Sequence, residues 1–196
     1  MTAALSGLPA LLAGPMTPLP ATTLDGHLAP VDGRGWFRVE RPGSWARRRL
    51  AGLLHLPAAG DAVPVVLCVR PATSTGTTGT TRTTVDRWER TFAGRRLTST
   101  QHLDGDELVE HVGRVALRFA IHPDRCGLTS TGAELRVGCR VARLPRWATP
   151  QVSCRVLPAG EGRRHVEVVA ATPGGRVLCR YGGLLLDREL TEAARP

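Results

Sequence analysis

The feature that most constrains the fold is a series of four short runs of alternating apolar and polar residues joined by tight turns. The runs lie at 85–92, 95–102, 107–112 and 115–122. Alternation with a period of two is the pattern of a half-buried β-strand, since successive side chains point to opposite faces. Connections of two to four residues that contain glycine are typical of β-hairpins. The segment therefore predicts a four-stranded antiparallel meander.

The turns also predict which residues lie opposite each other. Two-residue loops at 93–94, 104–105 and 113–114 each contain a glycine. Loops of this length determine the pairing of the flanking strands to the residue. One row across the meander is then predicted to contain Trp88, Ser99, Glu110 and Leu117.

One face of the meander combines apolar and polar residues. In the last strand Leu117, Phe119 and Ile121 alternate with polar or small residues, so their face is predicted to be the inner one. The same face carries a set of residues that we call the inner polar cluster: Trp88, Arg90, Ser99, Gln101 and Glu110. Because an unpaired buried charge is costly, Arg90 and Glu110 are expected to form an ion pair.

Two interpretations of the inner polar cluster follow from the residues alone. Polar side chains in a mostly apolar cavity are the usual form of a small-ligand pocket, which makes these five residues candidate ligand-binding residues. Alternatively, the charges form a structural pair that determines strand register. Glu110 beside a hydrophobic row could also serve as a general acid or base, but Arg90 would favour the ionised carboxylate and oppose a raised pKa.

The remaining periodicity predicts a mainly β fold. Strand-like runs precede the meander at 35–40 and 63–70, and others follow it at 134–142, 151–157, 164–171 and 176–185. We predict an antiparallel, curved or barrel-like sheet of about eight or nine strands. One packed helix is predicted at 44–56, since Ser44 can cap it and Pro57 stops it.

The chain is predicted to form a single β-rich domain over 35–190. Residues 1–34 read as an irregular N-terminal segment, rich in Ala, Pro, Thr and Leu. Residues 71–84 form a Thr/Gly-rich tract with little apolar surface to bury, which predicts a loop.

Charge raises the possibility of an anionic partner. The formal net charge is +9, and all 26 basic residues are arginine. A GC-rich genome produces such a bias without selection for binding, and aromatic residues that would stack bases make up only 4% of the chain. We expect a solvated basic surface without specific nucleic-acid binding, and retain a basic nucleic-acid-binding domain as an alternative function.

Several kinds of site lack a sequence signal. The five cysteines include no CxxC pair, and no histidine pair has metal-ligand spacing, so we expect no metal, no cofactor and reduced thiols. No nucleotide-binding loop or catalytic motif is found, so we name no catalytic residue. We favour a non-catalytic role and retain an enzyme that uses Glu110 as acid or base as an alternative. No apolar run approaches about 20 residues and the N-terminus lacks a basic leader region, so we expect a cytoplasmic protein without a membrane span.

The hairpin residues resemble those of a known family. The pattern Trp88-x-Arg90-x-Phe92-x-Gly94-Arg95-x-x-x-Ser99, followed by Leu108-Val109-Glu110 and Gly113, is similar to the bacterial domain-of-unknown-function family 4166. So are Leu54-x-Leu56-Pro57 ahead of Val63-Pro64-Val65, and Leu144-Pro145-Arg146-Trp147 with Pro150. The chain departs from the family pattern at Arg114, where the family has proline, and at the segment Tyr181-Gly182-Gly183-Leu184-Leu185, where the family has Tyr-Arg-Gly-Trp-Leu.

The resemblance implies a bacterial protein without an established activity. It also implies a module that is sometimes joined to a saccharopine-dehydrogenase-like nucleotide-binding domain, which makes such a protein an expected partner. Together with the inner polar cluster, it leads us to expect a non-catalytic β-domain that either binds a small apolar or acidic ligand or serves as an accessory domain.

Overall fold

The structure is a computed structural model that describes residues 31–75, 82–122, 127–138, 140–160 and 162–187. These residues form eleven strands and one α-helix, α1 (Trp45–Leu53). The strands are β1 (Val31–Glu40), β2 (Gly60–Thr75), β3 (Arg82–Phe92), β4 (Arg95–Asp104), β5 (Glu107–Val112), β6 (Val115–His122), β7 (Gly127–Val137), β8 (Arg140–Arg143), β9 (Gln151–Pro158), β10 (Arg163–Ala171) and β11 (Val177–Asp187).

Ten of these strands close into an antiparallel barrel. Neighbouring strands follow the order β6-β5-β4-β3-β2-β1-β11-β10-β9-β7, and β7 returns to pair with β6. Residues 127–129 of β7 pair with β6 on one side and with β9 on the other. Further along, β7 leaves β9 and pairs with β8, which lies outside the ring. The barrel-like prediction is confirmed, although the strand number of eight or nine was too low.

The central meander matches its predicted strands closely. The predicted pairs Trp88–Ser99 and Glu110–Leu117 are present. The predicted pairing of Ser99 with Glu110 is wrong by two residues, because Glu110 lies opposite Gln101. A shift of two leaves every side chain on its predicted face, since the period of a strand is two.

Several predicted boundaries need correction. Residues 31–34, which were predicted to belong to the irregular N-terminal segment, form the start of β1 and pair with β2. The single run at 134–142 is a hairpin between β7 and β8, which Gly138 turns with a φ of 61°. The loop predicted at 71–84 is shorter, because 71–75 extend β2 and 82–84 extend β3 in register. The rest of that tract and the segment 1–30 lie outside the described residues.

The predicted helix at 44–56 ends earlier, at Leu53. His55 has a φ of 57°, its backbone N–H donates to the Gly52 carbonyl, and the Leu56 N–H donates to the Ala51 carbonyl. These two bonds form a Schellman motif, which ends a helix through a left-handed residue. The helix therefore ends four residues before Pro57, and Ala51 near its end is fully buried.

The apolar interior consists of two clusters. One contains Trp88 and Phe119 and extends through the main part of the barrel. The second contains Phe37, Phe92 and Cys179, with the helix-flanking residue Leu56 packed against it. Val166 packs against both clusters, so they meet near β10. The candidate site lies where they meet.

Candidate functional site

A cavity of about 110 Å³ lies inside the barrel and is lined by residues from all ten barrel strands. This volume is several times the roughly 10–15 Å³ that one water needs on the same kind of measure. Its wall is mainly aliphatic and aromatic. The lining residues that carry a polar atom are Trp88, Arg90, Gln101, Glu110, Cys154 and Tyr181.

Arg90 and Glu110 form the ion pair that the sequence predicted, with 2.8 Å between the guanidinium and Glu110 Oε1. Their side chains are only 15% and 12% exposed. Ser99 completes the arrangement, because it accepts a bond of 3.1 Å from Arg90 and donates one of 2.6 Å to Glu110 Oε1. Three of the five inner polar cluster residues are thus joined in one network.

The pKa shifts of Arg90 and Glu110 result from two opposing effects: burial, and the charges and hydrogen bonds of neighbouring groups. Burial alone would raise the pKa of Glu110, but the positive charge of Arg90 and hydrogen bonds from Ser99, Arg90 and Gln101 lower it below its usual value. Burial is the largest effect on Arg90 and alone would lower its pKa, but the negative charge of Glu110, the neighbouring Tyr181 and Cys154 and the hydrogen bond to Glu110 together outweigh it, so that the pKa is raised. Both groups are therefore charged at neutral pH.

Trp88 and Gln101 complete the cluster and are more deeply buried, at 2% and 1% exposure. The Arg90 guanidinium lies over the Trp88 ring at 5.1 Å from its centroid, a cation–π contact. Among the described residues, neither Trp88 Nε1 nor Gln101 Oε1 has a hydrogen-bond partner. The structure thus brings together all five predicted residues, although Ser99 supports the pair without lining the cavity.

The sequence did not identify Tyr181 and Cys154 as residues of this site. Tyr181 comes from β11 and packs its ring against Phe92 and Phe37, with centroid distances of 5.3 and 6.3 Å. Burial raises the pKa of the Tyr181 phenol, and burial also raises the pKa of the Cys154 thiol to about 12. Both are therefore neutral near pH 7, and Cys154 is not an activated nucleophile.

The outer face of the meander holds a separate charged group. Arg118 donates to Asp104, Glu107 and Glu134 over 2.8–3.1 Å. On β10, Arg164 pairs with Asp187 at 2.6 Å. These arginines are therefore engaged by carboxylates of the chain itself.

The described ranges lack two further kinds of feature. No group of three or more His, Cys, Asp or Glu side chains that could hold a metal ion occurs in them. None of their helices has the length and apolar character needed to cross a bilayer.

Comparison with known proteins identifies the family. The family model described as a domain of unknown function, DUF4166, matches residues 26–185. The chain belongs to the DUF4166 family. The match covers the whole barrel up to Leu185 and includes the complete inner polar cluster, so these residues belong to the part of the chain that the family defines. No curated protein matches the chain.

Solved structures show only distant similarity. A protein of unknown function from the DUF3598 family of Nostoc punctiforme PCC 73102 is 12% identical with a TM-score of 0.39, and the match covers 88% of this chain and 53% of that one. This DUF4166 chain thus spans about half the length of that protein. A putative thioesterase II from Thermobifida fusca YX is 12% identical with a TM-score of 0.27, over 83% of this chain and 80% of that one. A putative thioesterase from Novosphingobium aromaticivorans DSM 12444 is 11% identical with a TM-score of 0.20, over 93% and 87%.

Proposed function

We propose that this DUF4166 domain binds a small, mainly apolar molecule inside its barrel and does not catalyse a reaction on it. The observation that carries the proposal is the cavity itself, whose wall is mainly apolar and includes a few polar side chains. Ligand pockets in proteins combine these two properties, since the apolar wall supplies affinity and a few polar groups orient the guest.

The state of Glu110 favours binding over acid–base chemistry. Its carboxylate accepts bonds from Arg90 and Ser99, and its pKa lies below the usual range. A general acid or base at neutral pH needs a pKa near the working pH, which this environment opposes. The polar groups of the cavity are therefore best suited to orienting a ligand.

The proposal can be tested by filling the cavity. Val166→Phe adds a ring beside the point where the two clusters meet, and Val66→Phe makes the same change on the outer face, where Val66 is 43% exposed. A thermal-shift screen of metabolites and lipids is run on the wild type and both variants. A ligand at a hundred times its Kd should stabilise the protein by about 2.7 kcal/mol.

The expected result is a set of compounds that raise the melting temperature of the wild type and of Val66→Phe but not of Val166→Phe. Val166→Phe itself should remain folded, since overpacking of this kind costs roughly 1–3 kcal/mol. A screen without any stabilising compound, or equal shifts in both phenylalanine variants, would contradict binding in the cavity.

A further inference from the structure

Two buried polar atoms at the cavity specify what kind of ligand it can hold. Gln101 Oε1 can only accept a hydrogen bond and Trp88 Nε1–H can only donate one. Both residues line the cavity, both are at most 2% exposed, and neither atom has a partner among the described residues. A buried polar group without a partner costs about 1–3 kcal/mol, so a guest that satisfies both atoms gains affinity.

The orientation of the Gln101 amide is determined by its neighbour. Gln101 lies opposite Glu110, and its side chain donates a hydrogen bond that lowers the pKa of Glu110. The NH₂ group must therefore face the carboxylate, because the amide oxygen there would repel it. The amide oxygen of Gln101 therefore remains available to accept a hydrogen bond.

The strand register makes the side chains of Trp88 and Gln101 neighbours on the inner face. Trp88 is paired with Ser99 and Gln101 is two residues further along the same strand, so Trp88 and Gln101 are diagonal neighbours on the inner face. Diagonal side chains on adjacent strands are about 7–8 Å apart at the backbone, and long side chains bridge that gap. A single oxygen placed between them can therefore reach both.

The cavity also lacks a free charge for an ionic ligand. Among the lining residues that the structure describes, only Arg90 and Glu110 are charged, and they neutralise each other. A carboxylate or ammonium guest would be transferred from water without a counter-ion, which is strongly unfavourable.

We propose that the ligand of this barrel is an uncharged, mainly apolar alcohol whose hydroxyl group donates to Gln101 Oε1 and accepts from Trp88 Nε1. The proposal rests on the binding function inferred above and names its ligand class. A hydroxyl is the simplest group that supplies a donor and an acceptor from one atom. A carbonyl or ether supplies only the acceptor and leaves Gln101 Oε1 without a donor.

The test uses four probes that share one six-membered ring: cyclohexanol, methylcyclohexane, cyclohexanecarboxylate and cyclohexylamine. Their dissociation constants are measured by titration calorimetry at pH 7 on the full chain. Two added hydrogen bonds of about 0.5–1.5 kcal/mol each should make cyclohexanol bind about tenfold more tightly than methylcyclohexane. The two charged probes should bind more weakly than the hydrocarbon.

Trp88 provides a second, spectroscopic readout. The other three tryptophans, Trp36, Trp45 and Trp147, are at least 66% exposed and can be replaced by phenylalanine, which leaves Trp88 as the only indole. None of the four probes absorbs at the wavelengths used to excite indole. Cyclohexanol should shift the emission of Trp88 to longer wavelength, as expected for a hydrogen bond to Nε1, and methylcyclohexane should not.

Gln101→Leu should reduce the preference for cyclohexanol over methylcyclohexane by several-fold. Gln151→Leu is the matched control, since Gln151 is exposed and bonds the Pro173 carbonyl instead, and it should keep the full preference. If Gln101→Leu does not fold, the comparison of the four probes on the wild type still decides. Tighter binding of either charged probe, or equal binding of alcohol and hydrocarbon, would overturn the hydroxyl proposal but leave the binding function intact. Failure of all four probes to bind would count against the binding function itself.

Discussion

At the scale of single residues, the paired charges of Arg90 and Glu110 dominate the interior of the barrel. Each is held by the other, and Ser99 bonds to both. A buried pair of this kind is not a large source of net stability, because the desolvation of two ions offsets most of their attraction. Removal of one partner should cost more stability than removal of both, since it leaves an uncompensated charge in a low-polarity interior.

Glu110→Ala is accordingly expected to lower the free energy of unfolding by about 3–5 kcal/mol. The double variant Arg90→Met/Glu110→Leu should recover at least half of that loss, because it removes both charges and keeps apolar volume. Urea denaturation followed by circular dichroism measures both values. The control is Glu134→Ala, which removes one of three carboxylates from Arg118 on the outer face and should cost no more than about 1 kcal/mol. A loss below about 1 kcal/mol for Glu110→Ala would contradict the burial argument.

At the scale of elements, the turns explain both the success and the error of the predicted register. Ala93 and Gly94 both have positive φ, as a two-residue type I′ loop requires. At the next hairpin the dipeptide 104–105 was taken as a loop of the same kind. The structure instead uses Gly105 and Asp106, with positive φ at the glycine, the pattern of a type II′ turn that begins with glycine. The two turn choices shift the pairing of β4 with β5 by two residues, which equals the side-chain period of a strand. The inner face was therefore predicted correctly, although one pairing was not.

The glycines of the β1–β11 pair have a role that the sequence did not reveal. A Cβ at Gly35 would collide with the backbone carbonyl oxygen of Leu184, and one at Gly183 would collide with that of Trp36. Each of the two strands therefore has a glycine where the backbones of β1 and β11 approach closely. Their pairing joins the two ends of the described chain.

Gly35→Ala should therefore lower the free energy of unfolding by at least about 2 kcal/mol, since backbone rather than a movable side chain blocks the methyl group. Gly52→Ala in α1 is the matched control, because nothing lies within 4 Å of its Cβ position and alanine favours helix. It should raise stability by about 0.5 kcal/mol. Thermal and urea denaturation of the two variants provide the comparison, and equal effects would show that the β1–β11 pair tolerates a wider spacing.

At the scale of the whole molecule, closure of the barrel cannot be predicted from the alternation of apolar and polar residues along each strand. A period of two indicates which side chains share a face, and a short turn indicates which strands pair, but the strands of the pairs β1–β11 and β7–β9 are far apart in the sequence. The five cluster residues could be grouped from sequence because short turns link β3, β4 and β5. Tyr181 and Cys154 could not, since their strands reach the cavity only when the ring closes.

The charge of the whole chain leads to the last prediction. At +9 the protein should bind duplex DNA weakly and without sequence preference, with a Kd of about 10⁻⁶–10⁻⁴ M at physiological salt. Carboxylates of the chain already engage Arg118 and Arg164, so contacts must come from exposed arginines such as Arg136, Arg140 and Arg155. Changing these three to glutamine should flatten the dependence of log Kd on log salt, because each phosphate contact contributes a slope of about 0.9. A filter-binding titration over two unrelated duplexes measures both quantities. Sub-micromolar affinity that persists at about 0.5 M salt, where electrostatic binding is largely lost, would instead identify nucleic acid as a specific partner.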